Sequence, residues 1–292
     1  MESIRAIDWK QFGVFTEGAE SFAELGYVYV ICTVAFTVLY YMNKALFPML
    51  MHATGGPDGH FFKLAEKDKR EYYSRNVADI HAFIAAPLSL YCVFYICDDP
   101  TQSIFTSQEC LLKPQKAQLY LIAISTAYVT YDVIICVLEL GYTLSNGGDF
   151  IAHHIVGIIG AYCVLVAGRF NVALSAGNLV SEWTASAMNF RWRMLKHKMT
   201  EGLPFLLINA VFFGSYVVAR VFFMAWLLYR NYQIQQVFAI SSDPTIVYYC
   251  AIMSTVLQVC LYLIQMFWFK LIFGAFMRTL KGGKPQIASK DA

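Results

Sequence analysis

Two adjacent histidines, His153 and His154, stand in the stretch "GGDFIAHHIVGIIGAYCVLV", residues 147–166, at the mouth of an otherwise apolar run. Imidazole is poorly suited to hydrocarbon, but near neutral pH it can act as a general base or a nucleophile when a carboxylate orients it. Other apolar runs supply the matching groups: Asp132 and Glu182 as carboxylates, Arg220 as a cation and His81 as a third imidazole. Acids and bases at the centre of a membrane helix cost about 2.5–3.5 kcal/mol each on insertion scales. An interhelical hydrogen bond returns only about 0.6 kcal/mol on average. Asp132, Glu182 and Arg220 together are therefore better explained by a polar cavity than by packing. A metal centre is not expected, because consecutive helical residues point about 100° apart and cannot readily share one ion. The cysteines show neither CxxC nor zinc-ligand spacing.

The elements that must carry these groups follow from composition. Of 292 residues 58% are hydrophobic and 14% charged, with mean hydropathy +0.50, against about 25% charged in an ordinary soluble domain. The chain reads as a multi-pass membrane protein, and a net charge of +2 gives no reason to expect a nucleic-acid partner. A helix needs about 20 apolar residues to cross the hydrocarbon. Seven segments qualify: roughly 25–46, 77–97, 118–140, 150–167, 172–192, 203–229 and 245–273. Strands are excluded, because the runs are long and do not alternate. The expected fold is an all-α transmembrane bundle of about seven helices. Residues 1–24 form a polar lead without the apolar core of a secretory signal, and 282–292 form a tail.

The polar residues fall in stripes. Ser125, Tyr128, Asp132 and Glu139 share one helical face, as do Asn178, Glu182, Ser186, Asn189 and Arg193 on the fifth run. Asn209, Tyr216 and Arg220 align on the sixth run, and Thr255, Gln258, Tyr262 and Gln265 on the seventh. Seven crossings place fourteen Lys and Arg on one side and six on the other, so the richer side is expected to be cytosolic, with the C-terminus there and the N-terminus lumenal. At about 1.5 Å per residue, His153 would then lie about 5 Å inside the cytosolic end of its helix. Arg220 would lie about 25 Å from that boundary, so that only its long side chain could approach Glu182. Cys97 and Cys110 bracket one short loop and could pair there if it faces an oxidising lumen.

The order of these features resembles the TLC domain family, which includes the ceramide synthases and the translocating-chain-associated membrane protein. The similarity runs from "YYSRNVADIHAF" (72–83) to "FWFKLIFGAFMRTLK" (267–281). Between them "AYVTYDVI", "DFIAHHIVG", "LVSEWTASAMNFRWRM" and "VFFGSYVVARVFF" come in family order. The resemblance implies a TLC domain over 72–281 whose six-helix core surrounds a lipid-sized central cavity, preceded by one extra helix at 25–47. It also implies residence in the endoplasmic reticulum. In ceramide synthases the histidine pair serves N-acyl transfer from acyl-CoA to a sphingoid amine, which by position falls on His153 and His154. Where those enzymes carry H-D-x-x-D in the next helix, this chain has Glu182 as the only acid, and it looks most like the small TLC-domain proteins.

Three functions are compatible with this reading. The first is binding or regulation of a membrane lipid, acyl-chain or sphingoid-like, with His81, Asn178, Asn189, Tyr216, Arg220 and Gln258 lining the cavity beside the histidines. The second is an acyltransferase using acyl-CoA as co-substrate and no other cofactor, with His153 or His154 as base or nucleophile and Asp132 or Glu182 orienting it. The third is a structural subunit of a homo-oligomer or larger membrane complex, whose polar groups would pair off completely.

Overall fold

The computed structural model describes residues 19–56, 59–167, 169–238 and 245–281. Most of the expected polar lead (residues 1–18) and the tail 282–292 lie outside them. Among the described residues the regular elements are helices, with no strand. They are α1 (Ala19–Gly55), α2 (Glu66–Phe94), the short α3 (Gln108–Leu112), α4 (Lys116–Leu138), α5 (Leu144–Ala167), α6 (Arg169–Asn178), α7 (Trp183–Lys196), α8 (Gly202–Tyr216), α9 (Met224–Phe238) and α10 (Thr245–Leu280). A 3₁₀ turn, Leu179–Glu182, joins α6 to α7, and a π-helical segment, Val217–Phe223, joins α8 to α9. Six stretches are long and apolar enough to cross a membrane: Ala23–Gly55, Glu66–Phe94, Lys116–Leu138, Leu144–Ala167, Gly202–Ile234 and Tyr248–Leu280. The chain is an integral membrane helical bundle.

The helices overrun the apolar runs. The span expected to start near residue 77 begins at Glu66. Its polar first turns are held by Lys69–Glu66 at 2.7 Å and Arg75–Glu71 at 2.5 Å, neighbours three and four apart that support a helix. Hydropathy alone cannot see such a continuation.

The fifth run departs most from expectation. Instead of one helix over 172–192 it is α6, the 3₁₀ turn and α7, of ten, four and fourteen residues. It still runs antiparallel along α2 from end to end. Ser89 Oγ donates to the Ala176 carbonyl at 2.5 Å, Asn189 Nδ2 to Asp79 Oδ1 at 2.8 Å, and Lys196 Nζ pairs with Asp68 at 2.9 Å. Polar pairing with α2 holds in place what apolar character does not.

At one end of the bundle Cys97 and Cys110 form a disulfide, packed against Ala173, Leu174 and Leu227. Along the side, Phe36 and Tyr40 of α1 cluster with Tyr73 of α2 and Tyr128 and Tyr131 of α4. Helices α5 and α10 form the broadest helix–helix seam. Gly160 of α5 lies 3.8 Å, measured from an added Cβ, from Leu257 of α10, whereas Gly157 faces open space. Of these two glycines on one face of α5, only Gly160 meets another helix.

Before the histidines α5 bends at Gly147 (φ −153°, ψ 21°), where an added Cβ would sit 2.9 Å from the Tyr142 ring. Gly147→Ala should therefore cost about 1–3 kcal/mol, the usual range for overpacking. Thermal unfolding in detergent would measure it. Adding Tyr142→Ala should recover most of the loss, and no recovery would mean that the cost arises elsewhere.

Candidate functional site

The site is assembled where two irregular segments face each other. A 3₁₀ turn and a π segment both release backbone groups from the regular i→i−4 ladder, and π segments often mark functional positions. The 3₁₀ turn carries Ser181 and Glu182, and the π segment carries Arg220. The Ser181 carbonyl accepts from Thr184 Oγ1 at 2.8 Å and from Arg220 Nη2 at 3.2 Å. Arg220 also donates from Nε to Thr184 Oγ1 at 2.7 Å and from Nη1 to Gln265 Oε1 at 3.1 Å, and its Nη2 lies 3.8 Å from Glu182 Oε1. Tyr216 donates to the same Gln265 Oε1 at 2.8 Å. Arg220, expected to reach toward Glu182 by side-chain length alone, does so as the hub joining the α6–α7 stretch to α10.

On the other side of Glu182 stands His81. Its Nδ1 lies 3.6 Å from Glu182 Oε2, a charge-pair distance longer than a hydrogen bond, and its Nε2 lies 3.2 Å from Ser125 Oγ. The ring is stacked on Tyr128 with centroids 3.9 Å apart and is 1% exposed. Tyr128, Ser125 and Asp132 come from the single polar face of α4.

The two histidines of α5 divide their tasks. His154 is fully engaged: Nδ1 meets the Phe150 carbonyl at 2.9 Å, and Nε2 meets Asp132 Oδ2 at 3.0 Å. A carbonyl only accepts, so Nδ1 is the donor there, and one proton is shared between Nε2 and the Asp132 carboxyl group. Ser74 Oγ donates to the other Asp132 oxygen at 3.3 Å. His153 turns away, its ring 5.4 Å from that of His154 and nearly perpendicular, and 5.1 Å from the Trp268 ring. It lies within electrostatic reach of Arg220 and Glu182. Its Nδ1 is buried and has no hydrogen-bond partner among the described residues. Trp268 is itself fixed, donating from Nε1 to Asp149 Oδ2 at 3.0 Å.

The remaining expected lining residues are dispersed. Asn189 belongs to a network between α2 and α7, accepting from Arg75 at 2.9 Å and donating to Asp79, which also takes Arg193 at 2.5 Å. Gln258 accepts from Asn231 at 2.7 Å, while its own Nε2 has no partner among the described residues. Asn178 is half-buried, and its Oδ1 is likewise unpaired among the described residues. Glu139, on the α4 stripe, pairs with Lys44 at 2.9 Å, near the end of the helix.

Sequence reasoning missed Ser74, Arg75, Asp79, Thr184 and Trp268. Arg75, Asp79 and His81 follow one another within seven residues of α2, and the mixture of charges before the apolar run obscured a second polar face there. A separate crevice of about 540 Å³ opens between α1 and α4, lined by Ala23, Glu24, Tyr27, Val28, Ile31 and Tyr120, none of them part of the histidine cluster.

Comparison with known proteins bears on this geometry. The family description "TLC domain" matches residues 74–274, a segment that begins at Ser74 and encloses every residue of the cluster. The chain is also 26% identical over 163 residues to the TLC domain-containing protein 4-B of Xenopus laevis, an alignment covering 51% of this chain and 55% of that protein. The match thus spans about half the length of the curated relative.

Proposed function

This chain belongs to the TLC domain family, and on that premise we propose that it binds a membrane lipid whose polar group docks against His153. The observation that carries this reading is the buried Nδ1 of His153, which has no hydrogen-bond partner among the described residues; His81 Nδ1 is unpaired there too, while His154, Asp132 and Arg220 are engaged with one another's helices. A buried polar atom without a partner costs about 1–3 kcal/mol, and native structures satisfy nearly all such atoms. A lipid hydroxyl, amine or carbonyl bridged by water would complete it, with Glu182 and Arg220 supplying complementary charge. The same orphan argues against a purely structural role, in which the polar groups would be used up by one another.

We place the cluster in a bilayer with the basic ends of the helices cytosolic, and the Cys97–Cys110 loop supports this orientation, since disulfides persist on oxidising sides. The C-terminus is then cytosolic and the N-terminus lumenal, and the endoplasmic reticulum is the organelle proposed.

Mass spectrometry of lipids retained by the detergent-purified chain tests the reading. A defined species should co-purify with the native sequence and fall roughly tenfold in His153→Ala, the loss of about 1.4 kcal/mol expected for one polar contact. Identical lipids in both preparations would sink the proposal.

A second reading, acyl transfer from acyl-CoA to a lipid amine, is favoured by the His154–Asp132 contact at 3.0 Å. A carboxylate-oriented imidazole is the usual arrangement for a base. Both nitrogens of His154 are occupied in this state, so His153 is the imidazole open to a substrate. In the same spectra a covalent acyl adduct, or acyl-CoA-dependent turnover lost in His153→Ala, would select this reading over binding alone.

A further inference from the structure

The basic ends of the helices hold two histidines that the lipid site does not use. His60 stands in a short 3₁₀ turn, His60–Lys63, between α1 and α2, and His197 is the residue that ends α7. Their ring centres lie 4.8 Å apart, with the planes inclined by 39°. Tyr72 of α2 is the third member of the group, its hydroxyl 3.5 Å from His197 Nε2. Packing fixes all three. Phe61, next to His60, is buried, and Tyr72 lies against Phe47, Phe61 and Trp192. After His197 the chain turns sharply: the amides of Lys198 and Met199 donate to the Leu195 and Met194 carbonyls at 3.1 and 2.8 Å, with Lys198 at φ 57°. That left-handed conformation is disfavoured outside glycine and persists where the surroundings over-determine it. Among the described residues the His60 ring makes no hydrogen bond, and the His197 ring has Tyr72 as its hydrogen-bonding neighbour. The cations in the last turn of α7 are already paired, Lys196 with Asp68 and Arg193 with Asp79.

We infer that His60 and His197 form a binding site for a divalent transition-metal ion, held by two neutral imidazoles with the Tyr72 hydroxyl beside it and water completing the coordination. Imidazole suits nickel, copper and zinc ions. With nitrogen–metal bonds of about 2.0–2.1 Å in tetrahedral geometry, two imidazoles on one ion have ring centres about 5 Å apart. The observed separation of 4.8 Å agrees with that spacing before any side chain moves. His153 and His154 are not so placed, because they are consecutive on one helix. His60 and His197 come from separate segments, so both rings can turn toward a shared ion. A bound ion ties the turn that leads into α2 to the end of α7, the two helices already joined by Asn189–Asp79 and Lys196–Asp68. It thereby clamps the least apolar stretch of the bundle at its basic end. The inference does not depend on what the His153 cluster binds.

Titration calorimetry with nickel(II) on the untagged full-length chain in detergent tests it. Nickel is the probe because soft thiolates favour copper(I) and zinc, and this chain has free cysteines. The native protein should bind nickel, and the affinity should fall at least roughly tenfold in His60→Ala and in His197→Ala, since losing even a group that only orients a metal ligand costs about 10–100-fold. His52→Ala, at an exposed histidine in the last turn of α1, should bind as the native protein does. His60 is itself exposed, so His60→Ala should keep the native melting temperature in metal-free buffer. Nickel should then raise the melting temperature of the native protein and leave that of His60→Ala where it was. The inference is overturned if the native protein binds no nickel, if His60→Ala and His197→Ala bind it as tightly as the native protein, or if His52→Ala weakens binding to the same extent.

Discussion

Asp132→Ala should destabilise the bundle by about 3–5 kcal/mol, the usual cost of removing one partner from a buried charge pair. Asp132 and His154 are both under 10% exposed, and the carboxyl group is the partner of His154 Nε2 and of Ser74 Oγ. Its loss strands a ring nitrogen and a hydroxyl together. Asp132→Asn preserves the volume and can offer an amide N–H to a neutral Nε2, so it should recover more than half of the loss. Thermal or denaturant unfolding in detergent ranks the three proteins, and a native-like melting temperature for Asp132→Ala would show that the pair contributes little. The double variant with His154→Ala should cost less than the sum of the singles, since neighbours that share an interaction couple by about 0.5–3 kcal/mol.

A comparable loss is expected at Arg220. Its guanidinium serves Thr184, Gln265 and the Ser181 carbonyl while lying beside Glu182. Arg220→Ala should lower stability by about 3–5 kcal/mol, because Glu182 is then left without its nearest cation. Lysine should not substitute well. Its single ammonium cannot reproduce the planar fork that reaches three acceptors at once. Glu182→Gln added to Arg220→Ala should restore part of the loss by removing the stranded charge. If the double variant melts no higher than Arg220→Ala, Glu182 was being satisfied by His81 alone.

What the sequence disclosed, and what it hid, follows from the range of each signal. The helical class and the positions of the apolar runs were legible because they depend on local composition. His81, Asp132, His154, Glu182, Tyr216 and Arg220 were legible because charge in an apolar run is costly, and the structure brings them together around Glu182 and Asp132. Which histidine pairs with which acid was not legible: Asp132 took His154 and Glu182 took His81, a choice made by helix rotation and register. The breaks at Leu179–Glu182 and Val217–Phe223 were hidden because neither carries Pro or Gly. They are set by tertiary hydrogen bonds that take over the released carbonyls. Asn178, Asn189 and Gln258 sat on the expected helical faces but at other heights in the bundle, and a helical wheel does not encode height.

The antiparallel pairing of 169–196 with α2 also constrains the order of biogenesis. The stretch contains Glu182, Arg191, Arg193 and several amides, and it does not reach the apolarity of the other spans. Left to partition alone from the translocon it would be held at the interface, since each centrally placed charge opposes entry by about 2.5–3.5 kcal/mol. Asp79 and Arg75 are synthesised some hundred residues earlier (114 residues separate Asp79 from Arg193 and Arg75 from Asn189). The earlier helix thus presents complementary charge onto which the later, less apolar stretch docks.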